Sequence, residues 1–212
     1  MRAIIVAGSC LDVVPDAVTL AQADLLIAVD SGADVLERLG LKPHVLIGDM
    51  DSISAPVQRA FEELGVETIS LPTAKDETDA EAALRLAVGR GADRVDMYGA
   101  LGGPRLDHML GNFFLLAADW LGRVQVRLLD GRHEAFLARG DVAFTGRVGD
   151  IVSLLPLTPS VMHVRTAGLS YPLAGETLAQ AATRGISNVM TGPEARVTHG
   201  EGILLIIRYR ER

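Results

Sequence analysis

The 212 residues carry 27 acidic against 20 basic side chains, a net charge of −7, with 49% hydrophobic and 22% charged residues. That balance excludes a disordered chain, and the acidic excess excludes nucleic acid or an anionic membrane as the main partner, since both require a basic footprint. The single Cys10 excludes an intramolecular disulfide framework and a cysteine-based zinc site. It reads as a small buried hydrophobe.

No stretch approaches the roughly 18 consecutive apolar residues of a membrane helix. The run at 3–7 is too short for a secretory core, and Asp12, Pro15 and Asp16 follow it closely. The expectation is a soluble, cytoplasmic protein. Aromatics make up only 4%, so the core must be aliphatic.

Up to Asp130, short aliphatic or β-branched runs at 3–7, 25–29, 45–47, 67–71, 94–98 and 124–129 read as strands. Between them, helical periodicity appears at 35–39, 56–64, 77–88 and 107–121. In 77–88, Ala80, Ala83, Leu84 and Ala87 share one face, while Glu81, Arg85 and Arg90 lie off it. Such alternation predicts an α/β domain with a mainly parallel sheet and helices on both faces.

After Asp130 glycines punctuate short alternating runs at 133–137, 141–144, 151–155, 162–165 and 203–209. That texture predicts a C-terminal antiparallel β-sandwich domain, with 177–183 able to form a turn or two of helix. The domains are expected at 1–131 and 132–212.

Ligands of open α/β sheets bind beyond the carboxyl ends of the strands. The polar residues after each apolar run are therefore the ones to read. They are Gly8-Ser9, Asp30-Ser31-Gly32, Gly48-Asp49-Met50-Asp51-Ser52, Lys75-Asp76-Glu77-Thr78-Asp79, and the loop from Gly99 to His108. Acids gathered on one edge repel unless a cation separates them, and a hard divalent ion such as Mg²⁺ is the usual solution.

Asp49 and Asp51 form the sharpest pair, since in extended backbone residues i and i+2 point the same way. Asp76 reads as a helix N-cap, whereas Asp79 lies in the first turn on the same sheet edge as Asp49. Lys75 is either a counter-charge or a phosphate contact. In the loop, Gly102 and Gly103 let backbone amides approach an anion, and Arg105 suits phosphate oxygens. Asp107 fits a helix cap and a catalytic acid or base equally. No Walker A and no G-x-G-x-x-G sequence occurs.

This ordered series, from Val29-Asp30-Ser31-Gly32-Ala33 through Gly48–Ser52, Lys75–Asp79 and Gly99–His108 to Gly185-Ile186-Ser187-Asn188, resembles the thiamine pyrophosphokinase family. Each piece alone is weak, but the order is specific and the likeness covers nearly the whole chain. The resemblance implies transfer of diphosphate from ATP to the hydroxyethyl group of thiamine, giving thiamine diphosphate and AMP. It also implies Mg²⁺ and a homodimer with active sites shared between subunits.

Carried over residue by residue, Asp49, Asp51 and Asp79 look like metal ligands, and Asp107 and Arg105 like active-site residues near the phosphates. Asp30, Ser31, Lys75, Asp76, Gly102, Gly103 and Arg105 fall on the ATP side, and Ser187 and Asn188 on the thiamine side. If a general base operates, Asp107 is the first choice and Asp49 the second. The family more often has Gly where Ser31 stands. Some members have an aromatic near the Ser-Asn turn, where this chain has Val189, Met190 and Thr191, leaving Met190 or a residue elsewhere as the platform.

The rival readings are a diphosphokinase acting on another alcohol, such as a pterin, and a phosphatase of the haloacid-dehalogenase type. The latter is suggested by Asp49-Met50-Asp51-Ser52 but lacks a later acidic pair at the next strand ends. A nucleotide-binding sensor leaves the carboxylate cluster without a purpose.

Overall fold

The computed structural model describes residues 1–8 and 16–211. Ser9 and Cys10 lie outside the described residues. The chain forms two compact units, Met1–Gly131 and Arg132–Arg212.

In the first unit, β1 (Arg2–Val6), β2 (Leu25–Val29), β3 (Val45–Gly48), β4 (Glu67–Ser70), β5 (Arg94–Tyr98) and β6 (Gln125–Asp130) lie in the order β6-β5-β1-β2-β3-β4. Every pairing is parallel. The interior strands read as unbroken apolar runs because both faces are covered. On one face Ile4, Val6, Leu26, Ala28 and Leu46 meet Leu20 of α1 (Ala17–Ala21), Leu36 of α2 (Gly32–Arg38), and Val57 and Phe61 of α3 (Ala55–Glu63). Alternation sends Ile5, Ile27 and Ile47 to the other face. There α4 (Asp79–Gly89) packs on β1, β2 and β3 through buried Ala83, Leu84 and Ala87. Helices on both faces were expected, and both faces carry them.

The strand order turns back between β1 and β5, which makes their carboxyl ends the natural crevice. Ala7 donates its N–H to the Tyr98 carbonyl at 2.8 Å, so the loops after β1 and β5 leave side by side.

The second unit is a sandwich. One layer contains β7 (His133–Ala138), β14 (Leu204–Tyr209), β9 (Ile151–Pro156) and β12 (Asn188–Val189), in that order and antiparallel. The other contains β11 (Ala174–Ala179), β10 (Ser160–Ala167), β13 (Glu194–Thr198) and β8 (Val142–Thr145). Phe136, Leu154, Val161, Val164, Leu178, Met190, Val197 and Ile206 fill the space between them.

Local expectations fail in identifiable ways. The helix expected at 107–121 is α5 (Leu106–Leu115) followed by a single 3₁₀ turn, Asp119–Leu121; Ala118 is extended at φ −66°, ψ 129° and breaks the run. The helical option at 177–183 is overridden by pairing. Leu178 lies opposite Val161 across β10 and is fully buried, so β-partnering wins over the helix formers Leu, Ala and Gln.

Candidate active site

The first cluster is built where β2 and β3 end. Asp30 stands at φ 47° and donates its N–H to the Ile47 carbonyl at 3.1 Å. Its Oδ1 turns toward the next strand, accepts the Met50 N–H at 3.4 Å, and lies 1.7 Å from where a Cβ on Gly48 would be. Gly48, at φ +150°, is therefore required by both its backbone and its neighbour.

Met50 is left-handed at φ 65°, and Asp49 Oδ1 accepts the Asp51 N–H at 3.1 Å. Asp49 and Asp51 are thus brought together by a tight turn, not by the extended backbone expected from their spacing.

These carboxylates feel one another. Burial, then the charge of Asp79, pushes the Asp30 carboxyl up to about 6, with Asp49 and Asp51 adding and the Met50 hydrogen bond opposing. The Asp51 carboxyl is also raised, first by sharing a hydrogen bond with Asp49 and then by that neighbour's charge. Lys75 Nζ lies 3.1 Å from Asp79 Oδ1 and donates to the Pro72 carbonyl at 3.1 Å. Asp79 Oδ1 is itself buried without an aligned hydrogen bond, because Lys75 approaches off the bonding direction.

Asp79 opens α4, but Thr78 is its cap, accepting the Glu81 N–H at 3.2 Å. Asp76 does not cap the helix and is exposed, which corrects that expectation.

Hard oxygen donors, mutual repulsion and a buried Asp79 oxygen whose cationic neighbour Lys75 is not aligned to bond it fit a divalent cation in chemical type. Among the described residues no three such side chains converge as a preformed metal site.

The second cluster follows β5. Gly102 and Gly103 stand at φ 86° and 82°, so the loop turns in a backbone region that other residues rarely enter. Arg105 grips Asp107 through two hydrogen bonds, Nε to Oδ1 at 3.0 Å and Nη2 to Oδ2 at 2.7 Å. The Arg105 hydrogen bonds hold the Asp107 carboxyl well below the usual carboxylate range. In this pairing Asp107 is a poor proton acceptor. It is not the cap of α5 either, since Arg105 occupies that position and makes no side-chain capping bond. Asn112, which sequence reasoning missed, donates from Nδ2 to the Ala100 carbonyl at 2.8 Å and ties α5 to this loop.

Ser31 opens α2 without a capping hydrogen bond, and its Oγ lies 3.4 Å from the Gly8 carbonyl.

In the second unit, Ser187 is left-handed at φ 60° and donates its N–H to Ser153 Oγ at 3.1 Å. Asn188 is buried, and its amide clamps another segment. Oδ1 accepts the Tyr171 N–H at 3.0 Å and the Val189 N–H at 2.9 Å, while Nδ2 donates to the Tyr171 carbonyl at 2.6 Å. Tyr171, thus held by its backbone, is 67% exposed. Met190, by contrast, is 1% exposed and belongs to the sandwich core, which removes it as an aromatic-like platform. The signal for Tyr171 was present: a lone aromatic in the loop sequence Gly168-Leu169-Ser170-Tyr171-Pro172 of an aromatic-poor chain.

Comparison with known proteins places these clusters in context. Residues 17–126 match the family model described as thiamin pyrophosphokinase, catalytic domain, and residues 142–204 that described as thiamin pyrophosphokinase, vitamin B1 binding domain. The thiamine pyrophosphokinase of Bacillus subtilis (strain 168) is 29% identical over 207 residues, covering 96% of each chain. A crystal structure of thiamine pyrophosphokinase from Bacillus subtilis superposes with a TM-score of 0.90 at 27% identity, covering 100% of both chains. That of the Geobacillus thermodenitrificans enzyme gives 0.86 at 27%, covering 100% of this chain and 98% of the other. The family's paired domain models follow the order of the two units, the acidic clusters falling under the first and the Ser187–Asn188 turn under the second: the chain belongs to the thiamin pyrophosphokinase family.

Proposed function

We propose that this chain is a thiamine diphosphokinase, transferring an intact diphosphate from ATP to the hydroxyethyl oxygen of thiamine. The observation that carries this reading is the set of mutually repelling carboxylates Asp30, Asp49, Asp51 and Asp79 at the strand ends, of which Asp79 is paired with Lys75. Such a set is costly in the empty protein and becomes favourable once a cation and a polyphosphate are shared among them.

In this reading Asp49, Asp51 and Asp79 hold Mg²⁺. The ion, when bound, neutralises phosphate charge and orients the chain of phosphates. Arg105 and the amides of Gly102 and Gly103 bind phosphate oxygens, and Asp107 aims the Arg105 guanidinium until phosphate competes for it. Asp30, Ser31, Lys75 and Asp76 line the ATP side.

The acceptor oxygen bonds to the β-phosphorus, the bond from that phosphorus to the α,β-bridging oxygen breaks, and AMP leaves with that oxygen. The hydroxyl proton passes to water in the same step, so the products are AMP, thiamine diphosphate and one proton released to solvent. Transfers of this kind draw most of their rate from positioning and electrostatics, so a strongly basic Asp107 is unnecessary.

On the acceptor side, Ser187 and the Tyr171 ring contact thiamine, with Tyr171 stacking on the aminopyrimidine and Asn188 holding it from behind.

The working form is a homodimer with sites shared between subunits. Supporting it, α5 exposes Leu106, Leu110 and Phe114 at helical spacing, a stripe that favours a covering partner. Among the described residues no helix is long and apolar enough to cross a membrane. With its acidic net charge and single cysteine, the chain is assigned to the cytoplasm, with no nucleic-acid partner.

The test is incubation with ATP, Mg²⁺ and thiamine, withholding each in turn, with mass analysis of the products. Thiamine diphosphate must form only in the complete mixture. Product from a pterin alcohol but not from thiamine would keep the chemistry and replace the acceptor.

A further inference from the structure

A buried charged network lies in the second unit, built from residues given no role above. Arg208 on β14 stands opposite Glu134 of β7 and Val152 of β9 in register. Its guanidinium forks between Glu134 on β7 and Asp150, the residue just before β9. Nη2 and Nε donate to Glu134 Oε2 at 2.7 and 3.2 Å, and Nη1 donates to Asp150 Oδ2 at 2.8 Å. The three side chains are 13%, 11% and 2% exposed. A buried ion network of this kind is weak evidence for stability, because well-packed apolar residues often serve as well. What it does fix is geometry, since a planar fork satisfied on both sides tolerates little displacement.

The fixed point is Asp150. Its Oδ2 also accepts the Arg147 N–H at 3.0 Å, and its backbone carbonyl accepts the Met190 N–H at 2.8 Å. Met190 returns the contact by accepting the Gly149 N–H at 3.0 Å. Directly before Met190 runs β12, with Asn188 opposite Val152 and Val189 opposite Ile151. The free side of β12 carries the acceptor loop. Val189 accepts the Ser170 N–H at 2.9 Å, and Asn188 grips Tyr171 from both its N–H and its carbonyl. Gly146 seals the junction: a Cβ there would lie 2.5 Å from Met190 Sδ and 2.9 Å from Asp150 Oδ2.

We propose that the Glu134–Arg208–Asp150 network is a positioning device for the acceptor side, setting through Met190 and β12 where Ser187, Asn188 and Tyr171 stand. Arg208 and Asp150 are positioning residues and touch no substrate. The assignment rests on the reading that thiamine is bound at this turn.

The test compares Arg208→Lys, Asp150→Asn and Gly146→Ala with the wild type. The last variant removes no charged group and presses on Met190 Sδ and Asp150 Oδ2 from Gly146, so it decides the matter if a charge variant fails to fold. Each variant should raise KM for thiamine by about tenfold, the scale expected of a small misplacement transmitted to a binding group. KM for ATP should stay unchanged, and the amides of Ser170, Tyr171 and Met190 should exchange hydrogen faster without substrate while that of Ile4 does not. An unchanged thiamine KM, or equal rises for thiamine and ATP, overturns the proposal. If the wild type does not use thiamine at all, the substrate reading fails separately and exchange alone decides. Faster exchange at Tyr171 and Met190 then supports the device, and unchanged exchange refutes it.

Discussion

Asp30 and Gly48 occupy one space: the Asp30 Oδ1 sits 1.7 Å from the point where any side chain at Gly48 would begin. The carboxylate that ends β2 thereby buttresses the turn that carries Asp49 and Asp51, and Met50 closes the contact with its N–H at 3.4 Å. Gly48→Ala must push Asp30 aside and strain the φ of +150° as well. The expected cost is about 1–3 kcal/mol of stability, together with a loss of activity larger than stability alone explains. Denaturant unfolding beside steady-state rates at a temperature where both proteins are folded checks it.

The same buttress predicts a pH dependence. Asp30 binds its proton more tightly in the folded chain than in the unfolded one, since folding raises it from 3.8 to about 6. Its contribution to stability is therefore lost as pH climbs through that window and levels off above it. Stability of the metal-free protein, measured from pH 4 upward against Asp30→Asn, should show the variant gaining on the wild type until about pH 6. Parallel curves would mean that Asp30 is not the raised group.

Asp49→Asn and Asp51→Asn should each lower kcat by about 100-fold or more while leaving the fold intact, because a hard cation loses a charged ligand. Each variant should also need more Mg²⁺ for half-maximal rate. Asp76→Asn should be far milder, since Asp76 is exposed and makes no cap. Mg²⁺ titrations of activity distinguish the three.

How much of this was legible beforehand varies with the range of the interaction. Leu25–Val29 announced a strand because it is buried along its whole length, and so did the strands around it. The acids were legible as a group because the rule about strand ends in parallel sheets is local to each strand. What was misread depended on local backbone conformation or on partners distant in sequence. Asp49 and Asp51 meet through a left-handed Met50, a conformation that spacing alone does not reveal. The cap of α4 could have been found, because Thr78-Asp79-Ala80-Glu81 has the Ser/Thr-x-x-Glu form of a capping box. Tyr171 is joined to Asn188 across 17 residues, and burial of Met190 depends on a sandwich whose second layer was only half visible.

Tyr171 carries a prediction of its own. Tyr171→Ala should raise KM for thiamine by about tenfold, in line with the ~1–3 kcal/mol of a base stacked on an aromatic ring. Tyr171→Phe should keep nearly all affinity, because the ring and not the hydroxyl is used. KM for ATP should not move in either variant. Calorimetric titration with thiamine is the check independent of turnover.

The most direct measurement of the central claim follows which phosphorus is attacked. In a time course with excess ATP, Mg²⁺ and limiting thiamine, AMP and thiamine diphosphate should appear mole for mole from the first turnover, without a thiamine monophosphate phase. Release of ADP with thiamine monophosphate, or of inorganic phosphate without an acceptor, would contradict attack at the β-phosphorus and with it the role assigned to Asp49, Asp51, Asp79 and Arg105.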